Sequence, residues 1–275
     1  MDTLKLYQAQ TRVPDDPAEA LDIAADAAAH AASLGADMVA LPEMFCCPYE
    51  TANFPRYAEP EGGRVWSRCA ELAAKHGLWF SAGSMPERGP DGKVYNTAYV
   101  FDRAGRPAAK HRKMHLFDID VKGGQRFMES ETLSPGNDVT VFGTEFGPVG
   151  LCVCYDFRFP ELGRLMALRG ARLVLVPAAF NLTTGPAHWE LMFRSQAMYN
   201  QVFAAGTAPA RDTEASYHSW GHTVVTDPWG GVLAQLDAGE GFLFTELDLR
   251  QAEAVREQLP LLRHRRTDVY TLAEN

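Results

Sequence analysis

The sequence predicts a layered α/β fold, built as one domain over residues 1–275. Short apolar runs of strand length recur along most of the chain, and helical stretches fall between many of them. No break in composition marks a linker. With 46% hydrophobic residues the chain can bury a large core, and a charged fraction of 22% is that of an ordinary folded protein.

The elements follow in order. Leu4 to Ala9 alternates in the strand manner, and the alanine-rich run Pro17 to Ser33 reads as a helix that Gly35 can end. Asp37-Met-Val-Ala-Leu41 is a short buried strand that stops at Pro42-Glu43. A helix at Arg64 to His76 stops at Gly77, and strands follow at Leu78 to Gly83 and Tyr95 to Phe101. Asp102 to Asn137 is polar and shows no clear period. Alternation then resumes, with strands at Val139 to Phe142 and Val149 to Val153, a helix at Glu161 to Arg169 and a strand at Leu173 to Pro177. Trp189 to Tyr199 is helical. Four strands come next, at Val202 to Gly206, Thr223 to Asp227, Val232 to Gln235 and Phe242 to Glu246. A last helix at Leu249 to Gln258 precedes an extended tail from Leu261 to Asn275.

Composition excludes several function classes. A net charge of −9 disfavours nucleic acid and anionic membranes, yet leaves room for a local basic pocket. No run approaches the roughly 18 apolar residues that span a bilayer. Five cysteines form an odd set without disulfide-framework spacing. The N-terminal stretch lacks a basic-then-apolar signal, so a reducing cytoplasm is expected. No C-x2-C…C-x2-C or H-E-x-x-H spacing exists, so neither a metal site nor a cofactor is expected, and a thiol redox protein would want the missing C-x-x-C.

The chemistry centres on the end of the run Val149-Gly-Leu-Cys-Val153, where Cys154-Tyr-Asp-Phe-Arg158 leads to a helix opened by Pro160. Such an elbow presents a side chain at the carboxyl end of a strand, and the backbone N–H groups of the next helix can hold an oxyanion. Cys152 points the same way but sits deeper. By itself the pattern fits a catalytic thiol and a small core residue equally well. A thiol attacking an amide needs a base, for which His115, His188 and His222 are the obvious choices. Glu43, at the edge of an apolar run, is another, since partial desolvation raises a carboxylate pKa into a useful range. It equally fits a capping or ion-pairing carboxylate. Lys113, in Lys110-His-Arg-Lys-Met-His-Leu-Phe117, reads either as part of a solvated basic cluster or as a fixed charge beside the thiol.

Together these segments resemble the nitrilase, or carbon–nitrogen hydrolase, superfamily, whose hallmark is a Glu–Lys–Cys triad in this chain order. Leu-Pro-Glu43, Lys113-Met-His-Leu-Phe and Cys154-Tyr-Asp-Phe-Arg-Phe-Pro-Glu161 match its three blocks. The resemblance runs nearly end to end. Phe117-Asp-Ile-Asp120, Met128-Glu-Ser130, Leu133-Ser-Pro-Gly136, the block from Ala179 to Glu190, Asn200-Gln-Val202 and Pro209-Ala-Arg-Asp212 look like its omega-amidase branch. Members of that branch hydrolyse the terminal amide of 2-oxoglutaramate and 2-oxosuccinamate. The deaminated-glutathione amidases are close relatives that share Gly185-Pro-Ala-His-Trp189 and Asp227-Pro-Trp-Gly230. A non-catalytic binding protein on the same fold is the alternative of another class.

The resemblance implies an α-β-β-α sandwich, commonly paired into homodimers, and a set of roles. Cys154 is the nucleophile and Glu43 the base. Lys113 and the N–H of Tyr155 hold the oxyanion, and Glu129 positions Lys113 and the amide. Arg158 is the choice for the carboxylate of a 2-oxo acid amide, because a forked guanidinium suits bidentate binding. An ion pair with Asp156 or Glu161 is its alternative. Phe180 and Thr184 line the site as wall and hydroxyl donor, and Arg194 and Arg211 are weaker candidates for the head group. The segment from Phe117 to Leu133 is a candidate lid.

Overall fold

The computed structural model describes residues 2–122 and 126–274. The chain opens with β1 (Thr3–Gln10), α1 (Pro17–Ser33), β2 (Met38–Ala40), α2 (Phe54–Tyr57), α3 (Arg64–His76), β3 (Trp79–Ser81), β4 (Met85–Arg88) and β5 (Val94–Phe101). It continues with β6 (Pro107–Arg112), β7 (Asp118–Asp120), β8 (Arg126–Met128), β9 (Thr140–Thr144) and β10 (Gly147–Leu151). Next come α4 (Pro160–Leu168), β11 (Leu173–Pro177), α5 (Gly185–Asn200), β12 (Phe203–Thr207) and β13 (Val224–Thr226). The last elements are β14 (Val232–Gln235), β15 (Gly241–Asp248) and α6 (Arg250–Gln258).

The strands make two main sheets. The first runs β15-β1-β2-β3-β5-β4, with β6 also paired to β5, and the second runs β14-β13-β12-β11-β10-β9. The middle of each is parallel, β1-β2-β3 in one and β10-β11-β12 in the other.

Alternation along the first sheet sorts side chains into two layers. Leu4, Leu6, Met38, Ala40, Ala98 and Val100 join the core shared with the second sheet. Their neighbours Tyr7, Ala9, Val39, Phe80, Tyr99 and Phe101 pack on the small face of α1 and the buried side of α3. Helices α4 and α5 cover the second sheet, placing Met166, Trp189 and Phe193 in the larger core. The result is the expected α-β-β-α sandwich. Alanine at 20, 24, 27, 28 and 31 lets α1 lie close to its neighbours.

Local signals set the boundaries. Asp16 caps α1 by accepting from Ala18 N, with Pro17 at the first helical position. Gly77 ends α3 at φ +63°. The polar stretch 102–137 departs from expectation, because it contains β6 and the β7–β8 hairpin. Alternation was hidden on β6 because its outward Lys110 and Arg112 are charged. Both bond the buried carboxylate of Glu87 on β4, while His111 points inward. The tail is not extended throughout, since the N–H groups of Arg263 and His264 both donate to Pro260 O in a turn. Of the candidate lid, residues 123–125 lie outside the described ones.

Candidate active site

The carboxyl ends of β2, β10 and β11 meet at one edge of the sandwich, the place where α/β sheets leave a crevice. Glu43 follows β2, Cys154 follows β10, and Ala179 and Phe180 follow β11. Gly83 keeps the Glu43 loop close to β3. At φ +57° it lies so near Pro42 O, 2.0 Å from where a Cβ would stand, that any side chain would push the loop away. Ser84 completes the hold, its Oγ accepting from Met44 N at 3.0 Å.

Glu43, Lys113 and Glu129 are all fully buried and in contact. Lys113 Nζ donates to Glu43 Oε1 at 3.0 Å and to Glu129 Oε1 at 2.9 Å. Glu43 Oε1 also accepts from Asn96 at 2.8 Å, and its Oε2 accepts from the N–H of Ala179 at 2.7 Å, across the two sheets. Glu129 Oε2 accepts from Phe117 N at 2.6 Å. The reading of Lys113 as part of a solvated cluster does not survive this geometry.

Burial, the largest influence, raises the pKa of Glu43. Lys113 opposes that rise, Glu129 adds to it, and a hydrogen bond from Cys154 works against it. Desolvation would lower the pKa of Lys113, but Glu129 and Glu43 outweigh it and hold the amine charged. The Cys154 thiol is pushed well up by burial and by Glu43. Burial and the nearby carboxylate thus both disfavour a thiolate at Cys154, and the thiol hydrogen-bonds Glu43.

The elbow differs in detail from expectation. A 3-10 turn from Cys154 to Arg158 intervenes before α4. Cys154 sits at φ +49°, a left-handed conformation that is uncommon outside glycine and typical of functional elbows. The sequence offered Asp156 only as an ion-pair partner for Arg158, whereas in the structure it braces this strained turn. Its carboxylate accepts from Val153 N, Met114 N and His115 N, and bonds the ring nitrogens of His111 and His115 at 2.9 and 2.8 Å. Despite its burial, these bonds hold its carboxyl far below the usual range. The Cys154 elbow is thereby tied to the segment that carries Lys113.

The remaining candidates divide. His115 is occupied by Asp156, His188 lies beside Arg158, and His222 bonds Trp220 O, so each ring is engaged away from the thiol. Arg158 forms no ion pair with Asp156 or Glu161 among the described residues. Its guanidinium stands 4.4 Å over Phe180 and 3.0 Å from His188 Nδ1, and its Nε is shielded from solvent without a partner. Tyr155 meets Phe117 and Phe159 edge-on. The hydroxyl of Thr184 is taken up by Asn181 Oδ1 at the start of α5. Arg194 bonds Glu190 and Gly230 O, and Arg211 bonds Ser219 O and Trp220 O, so both guanidinium groups are committed elsewhere. A cleft of about 650 Å³ opens on Glu43, Tyr49, Ala179 and Tyr217.

This fold, with a buried carboxylate, amine and thiol at its crevice, defines a class of hydrolase, and the comparisons agree. Residues 3–257 match the carbon–nitrogen hydrolase family, and the chain belongs to it. Over 272 residues, 99% of this chain and 98% of the relative, it is 46% identical to omega-amidase NIT2 of Mus musculus. Omega-amidase NIT2 of Homo sapiens is 48% identical over 242 residues, 88% and 87% of the two chains. Among solved structures, Saccharomyces cerevisiae Nit3, a member of branch 10 of the nitrilase superfamily, superposes with a TM-score of 0.89 at 37% identity, covering 96% and 97% of the two chains. A mutant of the amidase from Nesterenkonia sp. AN1 has been solved showing covalent addition of the acetamide moiety of fluoroacetamide at its active-site cysteine. It superposes with a TM-score of 0.79 at 28% identity, covering 97% and 95%.

Proposed function

We propose that the chain is an omega-amidase that cleaves the terminal amide of 2-oxoglutaramate or 2-oxosuccinamate to the 2-oxo acid and ammonia. Amide hydrolysis itself follows from the family and from relatives named as omega-amidases over nearly the whole chain. Cys154 attacks the amide carbon as its proton passes to Glu43. Lys113 and the N–H of Tyr155 hold the oxyanion, and Glu129 anchors Lys113. Collapse of the tetrahedral intermediate breaks the C–N bond, and Glu43 returns the proton to the leaving ammonia. Water, losing a proton to Glu43, then attacks the thioester and frees the acid and the thiol.

The observation that carries the substrate reading is Arg158. Burial works against its charge, and the titratable groups that act on it are Cys154, Tyr155 and Tyr217, none of them a carboxylate. A half-buried guanidinium without an anion beside the thiol is suited to the carboxylate of a small 2-oxo acid. A charge-assisted contact of this kind is worth about 1.5–3 kcal/mol. Arg158→Lys keeps the charge and loses the fork, so kcat/KM for 2-oxoglutaramate should fall by roughly one to two powers of ten. The loss should shrink for an amide without the carboxylate. Ammonia release from a panel including deaminated glutathione and simple nitriles tests the choice, and faster turnover of deaminated glutathione would overturn it.

The active form is a homodimer. Support comes from apolar side chains left in solvent on α5, Leu191 at 65% and Tyr199 at 54% exposed, with Trp229 at 62%. Sedimentation equilibrium should return twice the chain mass, and Leu191→Glu should shift it toward one. A monomeric parent at micromolar concentration would discard the dimer. Five free buried cysteines agree with a reducing compartment, the cytoplasm. No helix among the described residues is long and apolar enough to cross a membrane.

A further inference from the structure

We infer that Tyr49 is a positioning residue that decides which of the two buried glutamates receives the nucleophile's proton. The inference rests on the Glu43–Lys113–Cys154 reading. Tyr49 follows β2 in Cys46-Cys47-Pro48-Tyr49, and neighbouring rings fix its own. Phe54 meets it edge-on at 5.5 Å, Phe127 stacks at 5.4 Å, and Tyr217 tilts against it at 4.7 Å. Its hydroxyl is thereby delivered into the cluster, 2.6 Å from Glu129 Oε1, 3.1 Å from Glu43 Oε1 and 3.4 Å from Lys113 Nζ.

A hydroxyl has one hydrogen to donate. Lys113 can donate to the Tyr49 oxygen, so the phenolic hydrogen goes to a carboxylate, and the shorter contact is to Glu129. Two carboxylates share the single charge of Lys113, and like charges at this range leave one of them ready to take a proton. Were that Glu129, Lys113 would lose its short anionic partner, and the proton would sit on the carboxylate that does not face the thiol. The Tyr49 hydrogen, with Lys113 and the N–H of Phe117, keeps Glu129 ionised. The proton leaving Cys154 then falls to Glu43. The charged and titratable groups facing Tyr49 are Glu129, Glu43, Cys154, Tyr217 and Lys113, and burial with the first three holds its phenol protonated.

Tyr49→Phe keeps the ring stack and removes only the hydroxyl. In the full chain kcat should fall about ten- to hundredfold, the worth of one hydrogen bond to a charged group, with KM little changed. Losing a donor to an ionised carboxylate raises its pKa, so the acidic limb of the kcat profile should move to higher pH. In a Glu129→Gln background the further effect of Tyr49→Phe should nearly vanish, because its partner charge is gone. A Tyr49→Phe enzyme with the parent kcat and an unmoved acidic limb overturns the inference. An undiminished loss in the Glu129→Gln background does so too, since the hydroxyl would then act by a route other than Glu129, such as its contact with Glu43. Glu43→Gln separates the levels. Full activity there refutes the base reading itself, whereas an inactive Glu43→Gln beside a normal Tyr49→Phe refutes only the role of Tyr49.

Discussion

Cys154→Ala is expected to abolish turnover and leave the fold intact, because it removes one sulfur, and the N–H of Ala179 that meets this sulfur keeps Glu43 Oε2 as its acceptor. All five cysteines are buried, and burial raises their thiols, that of Cys46 to about 12. Burial disfavours a standing thiolate at each of them. Among the described residues, Cys154 is the cysteine whose thiol hydrogen-bonds a carboxylate, that of Glu43. One equivalent of iodoacetamide should therefore silence the enzyme by labelling Cys154 ahead of the other four, as peptide mass mapping would read. Ammonia release at the parent rate by the alanine variant would sink the whole mechanism.

Glu43→Gln should cost roughly 10²–10⁴-fold in rate, the range for a lost general base. An amide at this position cannot accept the thiol proton. It also has only one oxygen to offer Lys113, Asn96 and the N–H of Ala179, which approach Glu43 on both carboxylate oxygens. Glu129→Gln retains an oxygen for Lys113 and should cost less. Its pH profile should keep an acidic limb above the ordinary carboxylate range, since burial raises the pKa of Glu43 and activity is lost as that group protonates. Equal losses in the two glutamine variants would mean that the roles are divided wrongly between Glu43 and Glu129.

Much of this was legible in order along the chain. Pro17–Ser33, Arg64–His76 with Gly77, and Leu173–Pro177 stand where the sequence puts them, because helical composition, glycine stops and apolar runs are local physics. The three blocks around Glu43, Lys113 and Cys154 were likewise readable. β4, β6 and the β7–β8 hairpin were not. The polar side chains of β6 look like a surface stretch until Glu87 arrives from another strand to bond them.

The sequence by itself determined the layered fold, the family and the chemistry-bearing residue types, since periodicity and spacing are properties of neighbouring positions. Only the tertiary structure decided which carboxylates share Lys113. It also decided that Asp156 serves the elbow and two histidines rather than Arg158, and that Tyr49 stands between the two glutamates. Those contacts join residues up to 80 positions apart, as between Tyr49 and Glu129. Their partners are chosen by how two sheets stack, and burial then makes each bond strong and each unpaired charge costly.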